Sequence, residues 1–553
     1  MAERRKRVVR AWLWGLSGFV GVLLLLFVFV VGPWLFTRHP QRGLDPDQVL
    51  KARNDVRTTL VQALAGLAVA GGLVVTYCTF RQNQTEQDRT YALRQNEQVN
   101  ELYTKAVEQL GHDEAPVRLG ALYSLVHLAQ ANPEQRQTVV DVLCAYLRMP
   151  YTPPRAPKPV ASKRDPTQEL QVRLTAQRLL GDHLRRPRGV SGTDAQRLPP
   201  SPDETFRPGI HLDLTGAVLF QGLHLEHTSV TYALFAEAIF VDGVWMEGAT
   251  FNEDAVFHGA TFSHDCNFNG VTFNSGAIFT EASFHGDAWF RESTFTGRAL
   301  FDQVTFEGDT SFASTTFAGV ATFGDATFGG NSLFREGAFT GDGTFTGATF
   351  RGDAVFNDAR FTGSVMFDEA TFTGHASFNR VTFAGGAEFS RALFGSIANF
   401  DEVTCPASAF FVGAAFAYVA QFRNSTFAFA VFNGASFSGG AYFGKTSFVK
   451  LGSFGGVTFG RDAVFRETTF GYSFFDEARV LHLQNSAHLL WPEKWTVQPD
   501  ADDLTRGTLV YQSSGNWEED GLMSMPFDDE EIPPEVLLPI FRAQSKLQEE
   551  AGE

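Results

Sequence analysis

The side chains able to carry chemistry in this 553-residue chain are carboxylates, histidines and four cysteines. Asp287, Asp309, Asp325, Asp342 and Asp353 recur at fixed positions of a repeat and do not converge. No pair is thereby placed to divide the acid and base roles of a hydrolase. His258, His264, His285 and His375 are outward and isolated in the same repeat, which suits surface histidines better than metal ligands. Cys78, Cys144, Cys266 and Cys405 show no paired spacing, which predicts a reducing compartment and no metal site. No phosphate-binding loop, G-x-S-x-G, H-E-x-x-H or C-x-x-C occurs. The expectation is a non-enzyme with no catalytic, cofactor-binding or metal-binding residues and no cofactor.

Phenylalanine decides where those polar groups stand. Phe251, Phe257, Phe262, Phe268, Phe273, Phe279, Phe284, Phe290, Phe295, Phe301, Phe306, Phe312, Phe317, Phe323 and Phe328 open a run of 28 that ends at Phe400. Its steps alternate six and five residues without a break, and a small residue such as Ala249, Ala255 or Ala260 precedes each Phe by two. From Phe284 to Phe383 each six-residue step reads F-x-G-x-x-x-F. Such self-similarity marks a solenoid. Residues five or six apart share no helical face, and strict alternation cannot absorb odd and even steps in one flat strand. A coil that turns a corner after each step does fit. Each Phe and its small partner then point inward, and the glycine of the long step is expected to supply a left-handed or bulged corner.

Segments such as Ala260-Thr261-Phe262, Ala326-Thr327-Phe328 and Ala348-Thr349-Phe350 resemble the A-[D/N]-[L/F]-x-x pattern of the pentapeptide-repeat proteins. The resemblance covers roughly residues 210–478 and implies a right-handed quadrilateral β-helix. One extra residue at every second step implies about 22 residues per coil instead of 20. Phe251, Phe273, Phe295, Phe317, Phe339, Phe361 and Phe383 would then stack in one column, continued by Cys405 and Phe427. The two successive five-residue steps from Phe427 to Phe437 should shift the columns by one residue. Family membership implies little about function, because fold and function separate.

The N-terminal region has another character. Trp12 to Phe36 carries no charge and exceeds the ~20 residues needed to cross a bilayer, and Thr58 to Phe80 is a second uncharged run. Residues 1–81 are expected to hold two transmembrane helices, about 12–36 and 58–80, with Gly66 and Ala70 as a small-residue packing pair. The cations of the tail and of the segment after the second run outnumber those of the loop, which predicts both ends in the cytoplasm. Residues 82–148 show helical periodicity and predict a small juxtamembrane helix packet. Its strings Glu101–Gly111 and Val117–Leu125 resemble the juxtamembrane segment of membrane-anchored actinobacterial pentapeptide-repeat proteins. A Pro/Arg-rich linker with one short helix is expected over 149–209, the solenoid over 210–478, and a cap with an acidic, partly helical tail over 479–553. His482, Trp491, Trp495, Val497 and Val510 are its candidate capping residues.

The net charge is −17, and most of it lies in the solenoid, with about 28 acids against about 12 bases between His211 and Ala478. Direct nucleic-acid binding is not expected, since the rod lacks a basic stripe. The reading is a membrane-anchored scaffold that binds an unknown protein partner, with a second copy of the chain among the candidates. The alternative is an acidic DNA mimic that regulates a nucleic-acid enzyme such as gyrase.

Overall fold

In the computed structural model the described residues are 20–37, 45–154, 164–199, 205–483 and 489–512. Contacts divide the chain into two units, Met1–Leu102 and Tyr103–Glu553.

Two uncharged runs, within 20–36 and 58–80, lie in the helices of the first unit. Helix α1 spans Val20–Phe36 and helix α2 spans Pro46–Leu110. Among the described residues one helix, Pro46–Gln87, is long and apolar enough to cross a membrane, and its apolar window is not buried. Two such spans were expected. The described part of the first run has 17 residues, which as a helix reach about 25 Å, short of a ~30 Å hydrocarbon layer. Residues 12–19 lie outside the described set. The expected small-residue contact also differs. A β-carbon on Gly66 would meet nothing, whereas one on Gly32 of α1 would come within 2.8 Å of Leu60 of α2. Helix α2 also runs through residues 81 and 82 without a break.

Among the described residues the longer helices of the second unit are α3 (Ala115–Ala131), α4 (Arg136–Arg148) and α5 (Pro166–Leu184). Asp165 caps α5 by accepting from Gln168 N at 2.9 Å. At their centre Glu169 is buried and accepts from the Tyr146 hydroxyl at 2.8 Å and from Arg173 Nε at 3.1 Å, and it pairs with Arg118 at 3.0 Å.

The expectation of a linker over 149–209 does not hold for its described parts. Val172, Ala176, Leu179, Leu180 and Leu184 of α5 are buried. Gln177 donates to Phe220 O at 3.1 Å, and a β-carbon on Gly181 would meet the His224 carbonyl. Arg207 is buried, takes a backbone bond to His183 O at 2.9 Å and donates to Val126 O at 3.1 Å. Burial, with Arg136 nearby, lowers its pKa to about 10. The segment packs because the first coil has an open sheet edge that must be covered, a tertiary demand that its Pro/Arg composition hides.

From His211 onward the chain winds as a parallel β-solenoid. Interior strands pair with the strand 22 residues later, as in Phe273↔Phe295 and Thr305↔Thr327. One lateral sheet counts 13 strands, so about twelve coils make a rod near 58 Å long at ~4.8 Å per coil. Its interior is four columns of Phe. All fifteen residues from Phe251 to Phe328 named above are 1% exposed or less.

The corners alternate in kind. At short steps such as Phe279–Ala282, Ala282 N donates to Phe279 O at 2.9 Å and Glu281 has φ 60°, the third residue of a type II turn. At long steps the glycines lie outside the left-handed region. That corrects the expectation for them: they are required by close approach of coil to coil. A β-carbon on Gly330 would come within 2.6 Å of Gly308, and one on Gly319 would overlap the Gly297 carbonyl. The left-handed φ falls instead on Glu281, Glu292, Gln303, Asp325, Glu336 and Asp358.

The predicted shift of the columns after Phe427 does not occur. Phe432 stacks on Phe411 at 4.7 Å and on Phe454 at 4.8 Å. The missing residue is absorbed by register irregularities at the corner, where the strands Thr404–Phe410, Thr426–Val431, Ser447–Ser453 and Thr469–Phe474 run on continuously. Beyond the last coil, the strands Trp495–Pro499 and Gly507–Tyr511 form an antiparallel pair. Trp495 sits 5.1 Å from Phe475 and Trp491 lies 5.4 Å from Phe459. Asp528–Glu531 and the rest of the tail lie outside the described residues.

Candidate interaction surface

With its interior filled by rings, the solenoid offers chemistry only on its outside. The residue before each inward Phe points out, and on two faces it is most often Thr. Thr272, Thr294 and Thr316 align on one face, and Thr305, Thr327, Thr349 and Thr371 on another.

At one long corner the residue after the glycine forms a polar ladder. Asp265 Oδ1 accepts from Asp287 N at 3.0 Å, Asp287 from Asp309 N at 2.9 Å, and Asp309 from Asn331 N at 2.8 Å. Asn331 accepts from Asp353 N at 3.1 Å, and Asp353 from His375 N at 2.9 Å. Asp342 does the same for Ser364 N at the opposite long corner, and Asp325 occupies a left-handed turn position. The acids singled out in the sequence therefore occupy three different corners. Each ladder carboxylate spends one oxygen on the next coil's backbone, a structural use. The signal for it was present as an Asx recurring every 22 residues.

Cations interleave with the acids across coils. Arg380 pairs with Asp358 at 2.7 Å, Arg391 with Glu369 at 2.8 Å, Arg423 with Asp401 at 2.7 Å and Lys445 with Glu467 at 3.9 Å. The Arg380 guanidinium holds the Asp358 carboxyl below its ordinary range. Such exposed pairs contribute little each, but they break up a single-sign field.

The four histidines are outward but not isolated. His285 Nδ1 lies 3.0 Å from Glu307, His258 and His264 contact backbone carbonyls, and His375 Nδ1 lies 3.3 Å from Ser396. Among the described residues no group of three His, Cys, Asp or Glu could hold a metal. All four cysteines are free. Burial pushes the Cys144 and Cys405 thiols up to about 12 and that of Cys266 well above its ordinary value. The acidic residues nearest Cys144 and Cys266 add to the shift there.

Coil length, inward Phe and Asx ladders converge with the comparison to known families: a model of pentapeptide repeats (nine copies) matches residues 257–305, 291–338 and 338–382. The solenoid is a pentapeptide-repeat domain. No curated protein and no solved structure matches the chain. The matched residues include the coils of this pentapeptide-repeat domain in which the corner glycines run from Gly286 to Gly374 at every long step. Its outer grooves are shallow. One of about 430 Å³ lies among Arg423, Tyr442, Lys445 and Arg466, and one of about 350 Å³ lies between α5 and the first coil, beside Arg178, Asp182 and His224.

Proposed function

We propose that the protein is a membrane-anchored pentapeptide-repeat scaffold. It is held through its apolar N-terminal region, lies mainly in the cytoplasm, and binds a protein partner through the outer faces of its rod without catalysis. The single observation that carries this reading is the outer surface itself: long, regular rows of Thr, Asx and charged residues around a core filled by Phe. Rows repeated at ~4.8 Å suit an extended protein contact. The apolar helix Pro46–Gln87 supports the anchor.

The acidic-mimic reading is favoured by the carboxylate ladder from Asp265 to Asp353, and disfavoured by the cross-coil cations, Arg380, Arg391, Arg423 and Lys445. Photocrosslinking in cells from Thr327 and from Thr294 separates the two. The scaffold predicts a defined protein adduct in the membrane fraction from one of these faces. Salt-sensitive inhibition of gyrase by the rod, with no such adduct, would replace it by the mimic.

A further inference from the structure

Near its C-terminal end the solenoid carries aromatic side chains on the outside of its wall. The continuous strands there align Phe429, Leu451 and Tyr472 in one outward column, and Phe410, Val431, Ser453 and Phe474 in the next. Leu451 is fully covered, packed under Phe429, Tyr472 and Phe474, and Val431 is packed against Phe410 and Val412. The four rings themselves remain partly exposed. Lys450 Nζ stands 5.0 Å from the centre of the Phe429 ring, so a cation frames the patch.

The chain leads to this patch. Gln512 N donates to Lys494 O at 2.7 Å, and the adjacent Trp495 Nε1 donates at 3.3 Å to Ser473, which lies between Tyr472 and Phe474. Five residues beyond Gln512 comes Trp517-Glu-Glu-Asp-Gly-Leu-Met-Ser-Met-Pro-Phe527, which joins three acids to five large apolar side chains. Eleven extended residues reach about 36 Å, and the patch crosses about 14 Å of rod at the strand spacing. A tether this short gives a local concentration on the order of millimolar.

We propose that Trp517–Phe527 of the same chain lies across the aromatic patch, with its apolar side chains on Phe410, Phe429, Tyr472 and Phe474 and its acids facing Lys450. This contact stands independently of the scaffold reading.

Carbodiimide crosslinking of the full chain in detergent, as an equal mixture of unlabelled and ¹⁵N-labelled protein, tests it. The Lys445–Glu467 pair, at 3.9 Å, is the internal control. The expected product joins Lys450 to Glu518, Glu519 or Asp520 within single chains. Products joining labelled to unlabelled chains would assign the patch to a second copy and overturn the proposal. A Lys445–Glu467 product without any from Lys450 to the tail would overturn it as well. Replacing Leu522, Met523 and Phe527 by Ser should raise the fluorescence of an apolar-surface dye several-fold and abolish the Lys450 product, at unchanged far-UV dichroism. Unchanged dye binding would contradict the apolar contact.

Discussion

Phe345 stacks on Phe323 with ring centroids 4.8 Å apart and planes 1° from parallel, and Phe334 meets both rings edge-on at 5.4 and 5.6 Å. The core is thus built from parallel stacks within columns and edge-to-face contacts between them, both favoured by the ring quadrupole. Phe345→Ala is expected to cost about 3–5 kcal/mol. Because each coil touches only its neighbours, the damage should stay local. Hydrogen exchange should accelerate in the flanking coils and not at the ends of the rod.

A charge in the same place is worse. Phe317→Asp or Phe339→Asp would bury a carboxylate with no partner and should unfold the neighbouring coils. Full β-content and unchanged thermal stability in either variant would contradict the inward ladder.

The corner glycines and the left-handed turn residues should respond in opposite ways. Gly319→Ala would drive a methyl group into the Gly297 carbonyl and is expected to lose about 1–3 kcal/mol, as overpacking does. Glu281, at φ 60°, should tolerate glycine with no loss, since a left-handed residue with a β-carbon already costs about 1–2 kcal/mol. Thermal unfolding of the two variants side by side decides this.

Glu169 holds Arg118 and Arg173 in the interior of the helix packet. Glu169→Gln removes the carboxylate that pairs with both guanidinium groups and should destabilise the packet by about 3–5 kcal/mol. Limited proteolysis should then cut α3 to α5 before it cuts the solenoid.

Cys144, Cys266 and Cys405 are predicted to resist thiol reagents at neutral pH until the protein unfolds. Their folded pKa values are raised, so the native state holds protons that the unfolded chain loses first. Their contribution is therefore complete below the unfolded thiol pKa of about 8.5 and is lost as pH rises toward the folded values near 12 for Cys144 and Cys405. Denaturant titration at stepped alkaline pH should show stability falling through that window.

Much of the fold was legible because Phe and Gly repeat with a period that one architecture accommodates. The 22-residue register and the inward columns were readable from spacing alone. The role of the glycines was not, because left-handed geometry and close approach both call for a missing β-carbon, and only Gly319 set against Gly297 tells them apart. The packing of α5 was hidden because Gln177 and Arg207 act through backbone groups far away in the chain. The outer aromatic columns escaped notice for a related reason. Phe410, Phe429 and Phe474 look like more of the ladder until the continuous strands turn them outward.

The central claim is a rod held at the membrane with its outer faces in the cytoplasm. Ser438 is exposed on the solenoid, and a cysteine placed there in a Cys78→Ser background tests the claim by accessibility labelling of intact cells. The account predicts protection from a membrane-impermeant maleimide until lysis, followed by full labelling. Labelling of intact cells would put the rod outside and contradict both the cytoplasmic scaffold and its gyrase alternative.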